Sequence, residues 1–320
     1  MIMRFAIYIL LLWLAVGAAL VDAQSQSEPT DFHEELDVTL VNVYLTATDS
    51  AGNFIADLNS EELLLKEEGV VQSISYFGDL AAEDSSIPVT VVLLADNSTS
   101  MNETFHGQRK IDIVKNAGFL ILNELRDLDR MLLVGFDRYP ELVYGPSSNK
   151  EGLRDAINSL KVEYNPTALF DALDFSIQKV KDEPGRKLIV ICSDGQDNAS
   201  HLRLSHVVDE SRTATDFMMV ALGTVYYDSK VSWFGAEEDV RRGKSNLTAL
   251  ADTTGGFTFF PSKTEELKQA MDKMRRLIRS QYTLAYRPSD AKKDGSWRRI
   301  EILCKRPGVK LRYREGYYAK

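Results

Sequence analysis

Between Val89 and Ala95 every residue except Thr90 is apolar, and the run stops abruptly on Asp96. A run this short, without polar alternation, predicts a strand covered on both faces, as in a parallel sheet. Met131 to Phe136 and Leu188 to Cys192 repeat the pattern, and 216–223 and Phe257 to Phe260 read as further strands. Between the strands the apolar positions shift to a 3.6-residue rhythm. Ile111, Val114, Gly118, Leu122 and Leu125 mark one helix, and Leu267, Met271, Met274 and Ile278 mark the last. Others are expected from about Leu169 to Val180, over 203–214 and near Leu247 to Asp252. Ser148 with Glu151, and Ser262 with Glu265, have the spacing of capping boxes. Strands alternating with helices predict an α/β unit, a doubly wound, mostly parallel sheet of Rossmann-like type, over residues 87–279.

The flanks have a different period. Val41, Val43, Leu45 and Ala47 alternate with polar residues, and Tyr282–Tyr286, Arg299–Leu303 and Lys310–Tyr313 do the same. Leu63–Leu65 and Ile74–Phe77 bracket Glu67-Glu68-Gly69 as a hairpin or loop. An alternative for Glu61–Glu68 is a short helix capped by Ser60. Residues 24–86, including a linker at Leu80–Ser86, and 280–320 are expected to pair into a small β-sandwich-like module around the inserted α/β unit.

Composition narrows the function. The chain has 320 residues, is 44% hydrophobic, and carries a formal net charge of −9. Without a sustained Lys/Arg block, nucleic acid and anionic lipid are excluded as main partners. The basic residues near the C-terminus (Arg298, Arg299, Lys305, Arg306, Lys310, Arg312 and Arg314) read as a solvated face, with docking of the acidic insertion or of a partner as the alternative. Arg4, the apolar stretch Phe5 to Leu20 and small residues through Ala23 form a leader pattern. Residues 1–23 are therefore expected to be a signal peptide cleaved after Ala23, with the protein periplasmic or secreted. Membrane contact follows only if the segment stays as an anchor. The two cysteines, Cys192 and Cys304, read as small buried thiols.

Oxygen donors gather where elements break. Asp96, Ser98 and Ser100 follow the first buried strand, Thr167 follows Pro166, and Asp194 follows the third buried strand. Ligand sites in open α/β sheets lie beyond the carboxyl ends of strands. No Cys or His accompanies these residues, which disfavours zinc and copper and suits Mg²⁺ or Mn²⁺. Asp197 reads as a solvent-facing loop carboxylate, and His106, His201 and His206 as surface residues. Asn97, Asn102, Asn198 and Asn246 head sequons, and Asn97 could hardly carry a glycan inside a metal loop.

Asp96-x-Ser98-x-Ser100, Thr167 within Asn165-Pro166-Thr167-Ala168-Leu169, and Ser193-Asp194-Gly195 together resemble the von Willebrand factor A domain and its metal-ion-dependent adhesion site. Leu250-Ala251-x-x-Thr254-Gly255-Gly256 is similar to the segment before that family's last strand. The flanks, from Asp49-x-x-Gly52 to Ile74-x-x-Phe77 and from Tyr282-x-Leu284-x-Tyr286 to Gly316-Tyr317, resemble a group of exported bacterial proteins related to this domain. The resemblance implies that serines and threonine ligate the metal directly and that the aspartates often act through water.

The expected function is non-enzymatic: a metal-dependent grip on an Asp or Glu carboxylate of a protein partner. One alternative is a phosphotransferase or hydrolase with Asp96 or Ser98 as nucleophile. However, aspartyl-phosphate chemistry generally uses a second Asp where Ser98 stands, and no Gly-x-Ser-x-Gly elbow is present. Another is a structural subunit of an envelope complex that is insensitive to metal.

Overall fold

The computed structural model describes residues 40–79, 87–105, 107–213, 217–225 and 236–319. The expected leader, the linker from Leu80 and His106 lie outside the described residues. The chain opens with β1 (Val41–Thr48), a 3₁₀ turn at Ser60–Glu62, β2 (Leu63–Glu67), β3 (Val70–Gln72) and β4 (Ile74–Asp79). Next come β5 (Val89–Asp96), the short pair β6 (Thr104–Phe105) and β7 (Gln108–Arg109), then α1 (Lys110–Glu124), β8 (Arg130–Phe136) and β9 (Pro140–Ser147). They are followed by α2 (Lys150–Ser159), α3 (Leu169–Val180), β10 (Arg186–Ser193), α4 (Leu204–Thr213), β11 (Phe217–Gly223), α5 (Ala236–Thr253), β12 (Phe257–Phe259) and α6 (Thr264–Leu277). The last strands are β13 (Tyr282–Tyr286), β14 (Trp297–Cys304), β15 (Lys310–Tyr313) and β16 (Gly316–Tyr318).

The central sheet has the order β12-β11-β10-β5-β8-β9. All its pairings are parallel except the edge pair β8–β9. The fold is α/β with this mostly parallel sheet at its centre. All eight residues of β5 are buried, which is why the strand shows no polar alternation. Its side chains still alternate between two cores. Val89, Val91, Leu93 and Ala95 pack with α1, α2 and α6, whereas Val92 and Leu94 pack with α3, α4 and α5. From β5 the chain moves outward to β8 on one side and later returns to β10 on the other. The crevice between the carboxyl ends of β5 and β10 is thus the switch point of the sheet, where such folds place ligands.

The flanks form two antiparallel sheets, β15-β1-β13-β4 and β16-β14-β2-β3. Each mixes strands from before and after the α/β unit: β1 pairs with β13 and β15, and β2 pairs with β14. Leu45, Leu65, Leu284, Tyr286, Ile300 and Ile302 share one core between them. Glu67 is buried in it, its carboxylate accepting from the hydroxyls of Tyr286 (2.5 Å) and Tyr317 (3.0 Å). Among the described residues no helix is long and apolar enough to cross a membrane. Cys192 is a free, fully buried thiol, and Cys304 is free and half-buried.

Several local expectations change. Residues after Ser60 form one 3₁₀ turn and then β2, and the cap is Asn59, which accepts from Glu61 N while Glu62 accepts from Asn59 N. Asn149 caps α2 in place of Ser148, because its carbonyl oxygen takes the amides of both Glu151 and Gly152. At α6 the reciprocal partner is Glu266, which accepts from the Ser262 amide and hydroxyl, one position beyond Glu265. Strand β9 lacks a sequence signal because its residues are half-buried on an edge.

The basic C-terminal residues divide: Arg299, Lys305, Lys310 and Arg312 are exposed, as a solvated face expects, whereas Arg298 and Arg314 are buried. Arg306 pairs with Asp57 and Glu62, and Arg298 with Asp290 and Asp294. Arg312 and Arg314 dock the α/β unit. Arg312 pairs with Asp252, donates to Gly256 O, and lies 4.9 Å over the Phe257 ring. Arg314 is buried and donates to Ser211 O and Arg212 O in α4. At the same join Gly255 has φ +70°, and a Cβ there would sit 2.3 Å from the Tyr313 backbone, so only glycine fits.

Candidate metal centre

Strand β5 ends on Asp96 because the sheet is fully covered up to that point and opens just beyond it. The Asp96 side chain turns back under its own loop: Oδ1 accepts from the Ser98 amide at 2.9 Å, and Oδ2 accepts from Ser193 Oγ at 2.6 Å. Asp96 is fully buried. Ser98 then faces the crevice with Ser100, their hydroxyls 3.4 Å apart.

The Thr167 loop is held from two sides. Thr99 donates its amide and its hydroxyl to Asn165 O, both at 3.2 Å. Asn198 accepts from the Thr167 amide at 2.8 Å and returns its own amide to Thr167 O. Asp197 is a clamp rather than a solvent-facing carboxylate. It accepts from the Phe170 amide at 3.0 Å and from Ser200 Oγ, fixing the β10–α4 loop onto the first turn of α3.

After β10, Asp194 Oδ1 accepts from the Gln196 amide, and Oδ2 lies 3.6 Å from Lys110 Nζ. Lys110 is itself buried and pairs with Glu103 at 2.8 Å. Gly195, with φ +77°, lets the loop drop onto α5, where its absent Cβ would sit 2.3 Å from Gly243 O. Asn246 donates to Gly195 O and Gln196 to Asp239 O.

Ser98, Ser100, Thr167 and Asp194 therefore line one open cleft of about 600 Å³, with Asp96 directly behind it. All five expected residues belong to this one place. Tyr164, 77% exposed, stands on its rim. Sequence reading missed Ser193 and Lys110 as contributors. Ser193 was visible in Ser193-Asp194-Gly195 as a small residue beside a carboxylate, whereas nothing in the sequence brings the start of α1 to Asp194. The sequon residues Asn198 and Asn246 are committed to backbone contacts.

The donors fit a hard divalent cation: three neutral hydroxyls, one lining carboxylate and one buried behind. The electrostatics fit too. Burial, and then the nearby Asp194, push the Asp96 carboxyl up to about 7, a direction that a cation in the cleft would oppose. A cation in the cleft would be held by Ser98, Ser100, Thr167 and Asp194, with Asp96 steering from behind.

Residues 91–196 match the family model of the von Willebrand factor type A domain, and the chain contains a domain of this class. It is similar to a "UPF0353 protein" of Mycolicibacterium gilvum, 24% identical over 204 residues. That match covers 59% of this chain and 60% of the relative, so the chain spans well under the relative's full length. Among solved structures it is similar to a von Willebrand factor type A protein from Catenulispora acidiphila, at 13% identity and TM-score 0.48. There the alignment covers 86% of this chain and 72% of the other. It is also similar to proximal thread matrix protein 1 from the mussel byssus with a zinc-occupied adhesion motif, at 20% identity and TM-score 0.49, covering 66% and 49%.

Proposed function

We propose that this protein is a metal-dependent protein-binding module whose cleft grips a partner's Asp or Glu carboxylate. One observation carries the reading: four oxygen-donor side chains from three separate loops line one open cleft at the switch point of the sheet. A bound Mg²⁺ or Mn²⁺ supplies an electrophilic position for one more carboxylate oxygen, because its other ligands are mostly neutral hydroxyls. The protein's own part is to hold those hydroxyls in register, to exclude competing side chains and to present Tyr164 beside the opening.

The nucleophile reading fares worse. Asp96 is fully enclosed with each carboxylate oxygen accepting a hydrogen bond, so it cannot reach a phosphorus or carbonyl carbon.

The leader pattern through Ala23 supports export, with the working protein in the periplasm or beyond. We assign the α/β unit to residues 87–279, inserted into a β module built from 24–86 and 280–320.

The test uses the full chain. Calorimetric titration with Mg²⁺ and Mn²⁺ should show one saturable site that is lost in Thr167→Ala. Capture of a partner from the native envelope fraction should fail in chelator and in the same variant. Capture that is undiminished by excess chelator sinks the metal-dependent mechanism and leaves a structural subunit.

A further inference from the structure

We infer that the outer groove between α3 and α4 holds a second divalent-metal site, formed by Asp174, His206 and Glu210 and suited to a borderline ion such as Zn²⁺ or Co²⁺. The three side chains each offer a ligand atom, and these atoms lie within 4.8 Å of one another. None of them takes part in the cleft described above.

The helices make the cluster. His206 and Glu210 are four residues apart on α4, so they project from one face, a turn apart. Asp174 comes from the facing side of α3, and His206 Nε2 is 3.9 Å from its Oδ1. Gln178, one turn further along α3, donates to Glu210 Oε1 and fixes the carboxylate's orientation. This is the outer-shell hydrogen bond that ligating carboxylates characteristically receive.

A second observation points to a cation. Glu210 Oε2 is shielded from solvent and the carboxyl faces that of Asp174, and among the described residues no amide or hydroxyl donates to this oxygen. Glu210 is half-buried, and a shielded carboxylate oxygen set against a second carboxyl is a place where a positive partner is favoured. Burial, then the adjacent Asp174, push the Glu210 carboxyl up to about 7, in keeping with that strain. His206 is more than half exposed, so an ion can enter from solvent without any opening of the fold.

The ligand set also selects the ion. One imidazole with two carboxylates is a nitrogen–oxygen set with room for water, which favours zinc or cobalt over Mg²⁺. The cleft at the switch point has no nitrogen donor, so the two sites sort different metals.

The experiment is a Co²⁺ titration of the full chain in a large excess of Mg²⁺, followed by visible ligand-field absorption. One saturable Co²⁺ with an imidazole-type spectrum is expected in the wild type, unchanged in Thr167→Ala. His206→Ala and Glu210→Gln should each weaken it by at least about tenfold. Both positions are on a helix surface, and far-UV circular dichroism checks the fold; Asp174→Asn supplies a third variant on the other helix. Absence of saturable uptake, or equal uptake in the wild type and His206→Ala, overturns the assignment.

Discussion

Ser193 Oγ donates to Asp96 Oδ2 at 2.6 Å, joining the ends of β10 and β5 at the point where the sheet changes direction. The same hydroxyl accepts the Gly195 amide at 3.0 Å, so it holds both the carboxylate and the loop that carries Asp194. Ser193→Ala removes the donor and leaves Asp96 Oδ2 buried without a partner. The expected cost is about 1–3 kcal/mol of stability, read as a lower urea midpoint, with weaker Mg²⁺ binding by calorimetry. A midpoint equal to wild type would show that Asp96 does not depend on this bond.

The buried Asp96 makes stability depend on pH when metal is absent. Its carboxyl is pushed from 3.8 to about 7 by burial and by Asp194. Between those values the folded chain holds a proton that the unfolded chain has released. Stability rises with pH only where the unfolded chain binds more protons, so here it falls as pH climbs through this window. Urea midpoints of chelated protein should drop from about pH 5 to about pH 7, and Mg²⁺ should restore them. Asp96→Asn should lose that component of the slope, and an unchanged slope in the variant would place its origin elsewhere.

Lys110 is a built-in cation beside the metal cleft, 3.6 Å from Asp194 and 2.8 Å from Glu103. Like charges at such range repel by roughly 1 kcal/mol or more when partly buried. Lys110→Met is expected to tighten Mg²⁺ binding by about fivefold or more, measured by calorimetry at fixed ionic strength. Looser binding would mean that Lys110 positions Asp194 more than it competes with the ion.

Arg314 ties the last β segment to α4 through Ser211 O and Arg212 O. Arg314→Ala strips these carbonyls of their donor at a buried site, at about 1–3 kcal/mol. Limited proteolysis should then cut at the join between the β module and the α/β unit sooner than in wild type. Equal protection would show that Arg312 and Gly255 suffice.

The strands that run fully covered, such as Val89–Asp96 and Leu188–Cys192, were legible because burial on both faces removes the polar alternation from the run. The site was legible for the opposite reason: Asp96, Ser98, Ser100, Thr167 and Asp194 are polar residues placed where buried strands end. What escaped the sequence depends on contacts far apart in the chain. Lys110 reaches Asp194 only because α1 packs on β5 and β10 lies beside β5. Arg312 and Arg314 alternate as a surface strand would, yet Arg314 is buried against α4 and Arg312, though exposed, pairs with Asp252. Capping residues slipped by one position where Asn149 competed with Ser148, because an Asx side chain can take two amides at once.

Gly195 and Gly243 bring the backbone of the Asp194 loop into direct contact with the backbone of α5. With no side chain between them, there is no rotamer to turn and take up slack. A slide of α5 along its axis would therefore be geared straight into the position of the Asp194 carboxylate, and a cation gripped there would brake the helix in return.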